Sequence, residues 1–330
     1  MRPDAPTRRR AITILAAAAA SAVTGGAARP READYEWRGV AMGADATILF
    51  NGIEPQTARS AIAAAVAEID RLEHALSLFR DSSELRRLNR DKVLHSPSSD
   101  MRRALALGLD IADRSGGLFD PSVQALWEAH VDWFAVAPEA GLPPEGVIAQ
   151  ARAAVDWRRI RIGPDTIRAG GDQRLTLNGL GQGYVTDRVA DLLHFRGFKH
   201  ILVDLGEQRA VGPRRGGAPW LVARANAAPF ALTGGALATS EGAGCMLGAS
   251  GTAHHLFDPR SGRSAAHWKR ITVHHRSAAV ADALSTALYA ASAGEIEALL
   301  PRFKGTAIWG TDHDNRERRW ISPPVDVTLR

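Results

Sequence analysis

The sequence has little cysteine, few aromatic residues and no long run of strongly apolar side chains. Cys245 is the single cysteine among 330 residues, so an intramolecular disulfide and a zinc site built from several thiolates are both excluded. Aromatic residues make up 6% of the chain and are not interleaved with the basic residues, as binding of single-stranded nucleic acid would require. Stability must come from a hydrophobic core, for which an apolar content of 45% suffices.

The longest apolar stretch, "AITILAAAAASAV" at residues 11–23, is rich in alanine. A membrane-spanning helix needs ~20 strongly apolar residues, so this stretch is too short and too weak. It follows the arginine-rich "MRPDAPTRRR" and precedes the small residues "TGGAARP", where a signal peptidase would cut most simply after Ala28. The paired arginines among Arg8, Arg9 and Arg10 are typical of a twin-arginine signal. We therefore expect residues 1–28 to be a signal peptide and residues 29–330 to form the mature, periplasmic protein, with membrane association if the signal remains uncleaved.

The formal charge of +5 depends on this signal segment. Residues 1–28 contain four arginines and one aspartate, so their removal leaves a charge of +2. The remaining basic residues are scattered or form short clusters such as "PRRGG". The charge therefore does not indicate a nucleic-acid partner.

Helical and extended patterns alternate irregularly along the chain. Apolar residues at helical spacing predict one helix from Ile62 to Leu76 and another from Met101 to Ala112, which "SGG" should end. Residues 36–50 read as two strands divided at Met42-Gly43, and "RRIRIG", "RLTLNG", "HILVDLG" and "PWLVAR" read as further strands, with a helix at about 183–195. The pattern predicts an α+β, or mixed α/β, fold.

A late segment, "SAAVADALSTALYAAS", predicts a helix capped by Ser277. Asp282 and Thr286 are four residues apart and therefore lie on one side of that helix. Their oxygen atoms are the type of ligand that Mg²⁺ or Ca²⁺ selects. A solvated helix face is the alternative reading.

A strand, a glycine-rich turn and a helix are predicted within "LTLNGLGQGYVTDRV" at residues 175–189. Gly179, Gly181 and Gly183 would let backbone amides approach an anion at the helix start. The spacing differs from the dinucleotide-binding fingerprint, and the lysine of a phosphate-binding loop is missing. A tight strand-to-helix connection is the alternative reading.

Two adjacent histidines precede a turn in "HHLFDPRSG", residues 254–262. Asp258-Pro259 and Ser261-Gly262 are typical turn residues, so the chain should reverse just after His255. Such turns often present reactive side chains, although a structural histidine and a turn-forming aspartate would fit equally well. The sequence contains no Gly-x-Ser-x-Gly elbow and no His-Glu-x-x-His pair, which argues against the corresponding hydrolases.

The order and spacing of these motifs resemble one family, the ApbE-like FAD:protein FMN transferases. The resemblance runs from about Val40 to Leu288 and is carried by the following segments: "AMGADATI", "LSLFRDSSELRRLN", "SGGLFDPSV", "LNGLGQGYVTDRVADLL", "VDLGEQRAVG", "ALATS", "HHLFDPRSG" and "ADALSTAL". It implies a T-fold-related architecture of mixed sheets and helices with FAD in the cleft between them. It also implies a Mg²⁺-dependent enzyme that attaches FMN from FAD to a threonine or serine hydroxyl of an exported or membrane-bound redox protein and releases AMP.

The resemblance assigns roles to specific residues. It implies that Asp282, Thr286 and the backbone carbonyl of Gly181 are magnesium ligands, and that His255 is the base for the attacking hydroxyl, with Asp258 beside it in the catalytic loop. His254, on the opposite side of a strand, would be structural. The positions implied to contact FAD are Met42, Ser77, Phe79, Asp120, Gly179, Gly183, Glu207 and Arg260.

Several positions depart from the family pattern. Gln182 replaces the usual lysine, so one positive charge near the phosphates is missing, and Phe79 replaces the usual tyrosine. The segment after "ALATS" is "EGAGCM" instead of Gly-Asp-Tyr, and the usual pair of glycines in "VDLGEQ" is reduced to one. Two other activities stay open: an FAD pyrophosphatase that releases FMN and AMP, and a non-catalytic flavin-binding or electron-transfer module.

Overall fold

The computed structural model describes residues 34–224, 227–249, 251 and 253–323. The predicted signal peptide, residues 1–28, lies outside the described residues. The helices, in chain order, are α1 (Pro55–Leu76), α2 (Glu84–Asp91), α3 (Ser99–Arg114), α4 (Gln124–Val136), α5 (Glu145–Ala153), α6 (Gly181–Phe195), α7 (Ala278–Tyr289) and α8 (Ala293–Leu299). No helix in the described part of the chain combines the length and the apolar character needed to cross a membrane.

Strands alternate irregularly with these helices. In chain order they are β1 (Tyr35–Ala41), β2 (Ala44–Phe50), β3 (Val93–His95), β4 (Arg161–Ile162), β5 (Thr166–Arg168), β6 (Ile201–Asp204), β7 (Gln208–Val211), β8 (Trp220–Arg224), β9 (Ala227–Leu232), β10 (Gly235–Glu241), β11 (Met246–Leu247), β12 (Ala253–His254), β13 (Phe257–Asp258), β14 (Arg263–Ser264), β15 (Arg270–His275), β16 (Ala307–Thr311) and β17 (Glu317–Ile321). The predicted α+β class is confirmed.

An eight-stranded sheet in the order β1-β2-β6-β7-β10-β15-β16-β17 is the centre of the fold. Each neighbouring pair is antiparallel. Alternate side chains of its strands point to opposite faces. On β6, Ile201 and Val203 belong to the main core, whereas Leu202 packs on the other face with Trp220 and Leu232.

Helices cover one face of the sheet and a hairpin covers part of the other. Helix α7 packs on β10 and β15, α6 lies beside α7, and α1 packs on α6. The β8–β9 hairpin contributes Trp220, Val222 and Leu232 to a smaller cluster on the opposite face. Burial on both faces fixes the register of the strands, because a slip by one residue would exchange the two sets of side chains.

Most locally encoded elements form where the sequence predicts them. The first predicted helix lies within α1 and the second within α3, which ends before Gly116 and Gly117, both with positive φ. The expected strand "RLTLNG" is wrong. Leu175 and Leu177 are buried alternately, but the backbone of Leu175 bonds to the side-chain amide of Asn89 instead of to a neighbouring strand.

Candidate active site

A cleft of about 1610 Å³ opens between the end of the central sheet, the start of α6 and the segment that precedes β13. Residues from distant parts of the sequence line it. Those named from the sequence are Met42, Phe79, Asp120, Gly179, Glu207, His255, Asp282 and Thr286. The metal-binding side chains and the histidine predicted from the sequence therefore face one common space.

Asp282 is buried on α7, with 4% of its surface exposed. Its Oδ2 accepts a hydrogen bond of 3.0 Å from the backbone N–H of Gly183. Burial raises the pKa of the Asp282 carboxyl to about 7, against the opposing effect of that hydrogen bond. The alternative reading, a solvated helix face, is excluded for this residue, because the carboxyl group points into a protein-lined cleft.

Glu207 lies on the same side of the cleft and is also buried. Burial and the nearby carboxylates of Asp282 and Asp204 raise the pKa of Glu207 well above its ordinary value. Its Oε2 accepts one long hydrogen bond, of 3.3 Å, from the N–H of Thr239. Buried carboxyl groups that lie near one another favour protonation or the binding of a cation.

The glycine-rich turn touches α7 at Gly179, where it contacts Thr286. A side chain at Gly179 would come within 3.1 Å of Thr286 Oγ1 and within 3.1 Å of the ring of Phe119. The absence of a side chain therefore lets the backbone of the turn approach the Thr286 hydroxyl. This close approach brings backbone atoms and the Asp282–Thr286 face to the same end of the cleft.

Gly181 and Gly183 lie farther into the fold. Gly181 is the first residue of α6, its N–H donates to the carbonyl of Leu177, and its Cα faces the Met42 side chain. Its predicted role as a carbonyl ligand stays a prediction. Gly183 has a packing role that differs from the predicted contact with an anion: its N–H is used by Asp282, and any side chain would collide with the backbone of Ala278.

His255 is held at the cleft wall by the backbone of Cys245. The His255 N–H donates to the Cys245 carbonyl at 3.1 Å, and ring atom Nδ1 lies 3.3 Å from the same oxygen. A nitrogen that faces a carbonyl carries the proton, so Nε2 of the neutral ring keeps its lone pair. Burial lowers the pKa of His255 to about 4. The imidazole is therefore neutral and able to accept a proton throughout the neutral pH range.

His254 points to the other side of its strand and has a structural environment. Its Nε2 lies 2.9 Å from the carbonyl of Ala265, and its ring packs edge-on against Tyr289. The Tyr289 hydroxyl accepts a hydrogen bond of 3.1 Å from the N–H of Gly242. The His254 and Tyr289 rings therefore support the backbone segment that carries His255.

Met42 and Phe79 form one rim of the cleft. Met42 has φ +51°, a left-handed conformation that is uncommon for methionine, and Gly43 after it has φ +81°. The Met42 N–H donates to Oε1 of Glu73 at 2.7 Å, and the other Glu73 oxygen accepts hydrogen bonds of 2.9 and 2.6 Å from Arg80. Glu73 thus ties the β1–β2 turn to the segment that carries Phe79. Sequence reasoning missed Glu73, which no local pattern distinguishes from other acidic residues of α1.

Two other residues predicted to contact FAD, Asp120 and Ser77, form structural hydrogen bonds within the protein. Asp120 lines the cleft, but its carboxylate accepts hydrogen bonds from Ser122 and from the N–H of Trp157. Ser77 is buried and absent from the cleft lining, and its hydroxyl accepts the N–H of Phe79. Both residues shape the walls.

Asp258 and Arg260 stabilise the turn that follows His255. Their side chains form a bidentate ion pair, with Arg260 Nε 2.9 Å and Nη2 2.9 Å from the Asp258 oxygens, and Arg260 also pairs with Glu295. Neither residue lines the main cleft; Arg260 borders a separate pocket of about 510 Å³. Both residues therefore have a turn-forming role, and the catalytic role expected for Asp258 and the FAD contact expected for Arg260 stay predictions.

Helix α7 is fixed at its N-terminus by a residue of another helix. The carboxylate of Asp187, on α6, accepts hydrogen bonds from the Ser277 hydroxyl and from the N–H groups of Ala278 and Ala279. Arg209 on β7 pairs with the same carboxylate at 2.7 Å. Ser277 caps the helix as predicted, by accepting the N–H of Val280. The contribution of Asp187 was missed, because it comes from a distant part of the sequence.

The described residues contain no group of three or more His, Cys, Asp or Glu side chains arranged to hold a metal ion. The predicted magnesium site is of another kind, because it combines one carboxylate with a hydroxyl and a backbone carbonyl. The chemistry of the donors fits a hard cation. The raised pKa of Asp282 also fits, since a buried carboxylate gains most from a cation placed beside it.

Comparisons with known proteins agree with this site. A sequence profile described as the ApbE family matches residues 42–309. An FAD:protein FMN transferase of Treponema pallidum (strain Nichols) is 29% identical over 148 residues, which cover 41% of this chain and 39% of that relative. The chain thus matches well under half the length of this curated relative.

Two solved structures have the same fold. The flavin transferase ApbE from Vibrio cholerae superposes with a TM-score of 0.73 at 21% identity, covering 87% of this chain and 96% of the other. The ApbE protein from Thermotoga maritima gives a TM-score of 0.75 at 22% identity, covering 86% of this chain and 96% of the other. The family match spans most of the chain, and the matched region includes the glycine-rich turn, His255 and Asp282. The chain therefore belongs to the ApbE family.

Proposed function

We propose that this protein is a magnesium-dependent FAD:protein FMN transferase. Its substrates would be FAD and a threonine or serine hydroxyl of an exported or membrane-bound redox protein, and its products the flavinylated acceptor and AMP. The observation that carries the proposal is the convergence of Asp282, Thr286 and the Gly179 turn with the free Nε2 side of His255 on one cleft. Membership of the ApbE family and the transferase name of the Treponema pallidum relative support it.

The size of the cleft suits a dinucleotide. Pockets for small ligands usually measure ~300–1,000 Å³, and this cleft measures about 1610 Å³. The exposed ring of Phe79 and the thioether of Met42 offer apolar surface for a flat heterocycle at one rim. The buried acidic groups and the Gly179 turn line the same space. A dinucleotide can therefore place its ring against the rim and its diphosphate near α7.

In the proposed reaction the acceptor hydroxyl oxygen attacks the phosphorus of the FMN half of FAD. A new oxygen–phosphorus bond forms, the phosphorus–oxygen bond to AMP breaks, and AMP departs with the electron pair. The hydroxyl proton passes to Nε2 of His255, which is the unprotonated nitrogen of the neutral ring.

Asp282 and Thr286 would hold Mg²⁺, and the Gly183 N–H keeps one oxygen of Asp282 in a fixed orientation. Bound there, the ion would neutralise charge on the diphosphate oxygens during displacement. The carbonyl of Gly181 remains the third proposed ligand. We further propose that the protein acts in the periplasm, after export by the twin-arginine route.

One experiment separates transfer from the alternatives. Purified protein is incubated with FAD and Mg²⁺, with and without a pool of soluble peptides that carry a central threonine or serine between randomised residues. We expect AMP release together with a peptide mass increase equal to the FMN group. Free FMN and AMP without modified peptide would indicate a pyrophosphatase, and bound but unchanged FAD would indicate a non-catalytic flavoprotein.

A further inference from the structure

A short backbone turn with almost no side chains borders His255. Residues Gly242–Gly244 form one turn of 3₁₀ helix between β10 and β11, with the sequence Gly-Ala-Gly. Ala243 and Gly244 line the cleft. No group longer than a methyl therefore projects from the turn toward the cleft.

The two glycines of this turn lie in opposite environments. A side chain at Gly242 would meet Tyr289 Oη at 2.7 Å and His254 Cδ2 at 2.8 Å, so Gly242 is a packing position. Among the atoms of the described residues, a side chain at Gly244 would meet one within 4 Å, His255 Cε1 at 3.9 Å. Gly244 also lacks a positive φ, so its backbone places no restriction on other residues. As far as the described residues show, the space in front of Gly244 is open, and it is bordered by the imidazole.

The atom that faces Gly244 identifies the reactive side of the ring. Cε1 of His255 is bonded to both ring nitrogens, and Nδ1 is directed at the Cys245 carbonyl. The unprotonated Nε2 is therefore one bond away from the ring atom that borders the space at Gly244. A hydroxyl group that donates its proton to Nε2 must approach through this region.

Hydrogen bonds hold the Gly242–Gly244 turn in place, so that it borders a passage to His255. The Gly242 N–H donates to the Tyr289 hydroxyl at 3.1 Å, and the Cys245 N–H donates to the Gly242 carbonyl at 3.3 Å. The next residue on the other side, Glu241, forms an ion pair of 3.0 Å with Arg270. The passage is thus bordered by the hydrogen-bonded backbone of Gly242–Gly244 and by the Glu241–Arg270 ion pair.

We propose that Gly244 determines access of the acceptor polypeptide to His255. This inference rests on the proposed transferase function. A hydroxyl on a polypeptide brings its own backbone and neighbouring side chains to the site and therefore needs free space beside His255. The bare surface at Gly244 leaves room for that backbone. A bulky residue at position 244 would exclude a polypeptide while leaving the flavin-binding rim and the metal-binding residues unchanged.

The test uses Gly244→Leu, Gly244→Ala and Gly146→Leu. The alanine methyl group lies at ordinary contact distance from His255 and should be tolerated. Gly146, on α5, has no atom within 4 Å of an added side chain and is outside the cleft, so Gly146→Leu is the matched control. For each variant we measure FMN transfer to the threonine-centred peptide pool by mass, and the dissociation constant of FAD by flavin fluorescence.

For Gly244→Leu, transfer should fall roughly tenfold or more, because small displacements of a reacting group already cost rates of this order. The dissociation constant of FAD should stay within about twofold of the wild-type value, since the rim residues are unchanged. Unchanged transfer would overturn the inference, and so would a parallel loss of FAD binding, since the added side chain would then occupy the flavin's place. Absence of peptide modification by the wild-type protein would instead overturn the proposed function, so the two failures are distinguishable.

Discussion

The backbone N–H of Gly183 and the carboxylate of Asp282 are joined by a hydrogen bond of 3.0 Å between two adjacent helices. This bond exists because Gly183 has no side chain and α6 can lie directly against the start of α7. It occupies one oxygen of Asp282 and fixes the direction of the other. The glycine-rich turn thus contributes to the site through helix packing as well as through its backbone.

Replacing Gly183 by alanine should destabilise the protein. The added methyl group would collide with the Ala278 carbonyl and push the helices apart, which we expect to lower the free energy of unfolding by ~1–3 kcal/mol. Urea denaturation measures the change. Gly146→Ala, in open space on a helix, should instead leave stability unchanged or raise it slightly. Equal stability of the two variants would contradict close packing at Gly183.

Asp282→Asn should abolish the response to Mg²⁺. The asparagine amide oxygen can still accept the Gly183 N–H, so the fold should be retained while the negative charge is lost. We expect Mg²⁺ to raise the melting temperature of the wild-type protein but not of the variant. Asp110→Asn, at an exposed position on α3, is the control. A variant stabilised by Mg²⁺ as strongly as wild type would disprove the ligand assignment.

His255→Gln should lower the rate of FMN transfer by roughly 10²–10⁴-fold, the usual contribution of a general base. FAD affinity should change little, because the rim residues and the metal-binding residues remain. Turnover at saturating FAD and the FAD dissociation constant are the two measurements. His95→Gln, at an exposed position on β3, should behave as wild type. Full activity of the His255 variant would remove its proton-accepting role.

Protonation of His255 should cost the protein stability on acidification, whereas protonation of the buried Asp282 carboxyl, whose pKa is raised, acts in the opposite direction. Its pKa is about 4 in the folded state, lowered by burial, and ~6.5 when unfolded, so below pH 6.5 the unfolded chain binds more protons. This histidine alone should therefore remove about 2 kcal/mol of stability between pH 7.5 and pH 5. Urea denaturation at both pH values should show a smaller loss for His255→Gln than for wild type. Equal losses would contradict the lowered pKa.

Glu73→Gln should weaken FAD binding more than it slows the chemical step. The change removes the negative charge that pairs with Arg80 and weakens the acceptor that holds the Met42 N–H in its left-handed conformation. We expect the dissociation constant of FAD to rise several-fold, with the rate at saturating FAD within about twofold of wild type. Glu68→Gln, on the same helix but outside the cleft, is the control. A lowered rate at saturation with unchanged FAD affinity would be inconsistent with this positioning role.

The sequence predicted the parts of the site that depend on local geometry. The stacking of Asp282 over Thr286 follows from helical periodicity, and the cap at Ser277 and the turn at Asp258-Pro259 follow from residue preferences. The pKa of His255 could not be predicted in this way, because its burial depends on residues distant in sequence. The same is true of Asp187, which caps a helix that begins 91 positions later.

The segment at Leu175 illustrates a different limit. Its alternating leucines fit a strand, yet Asn89 supplies the hydrogen bonds that a neighbouring strand would have supplied. Hydrophobic alternation reports which side chains are buried, but it does not report which partner satisfies the backbone. Asn89 is on α2, and nothing in its local sequence indicates that it pairs with the backbone of Leu175.

Residues between Met42 and Thr286 form the cleft. The rim at Met42 and Phe79, the imidazole of His255 and the Asp282–Thr286 face come from separate parts of the chain. Formation of the cleft therefore requires contacts between parts of the chain that are far apart in sequence, which form late in the folding of such topologies. A nascent or truncated chain contains individual sequence motifs of the cleft but does not form the cavity. Retention of flavin would consequently report that the long-range contacts of the cleft have formed and that folding is complete.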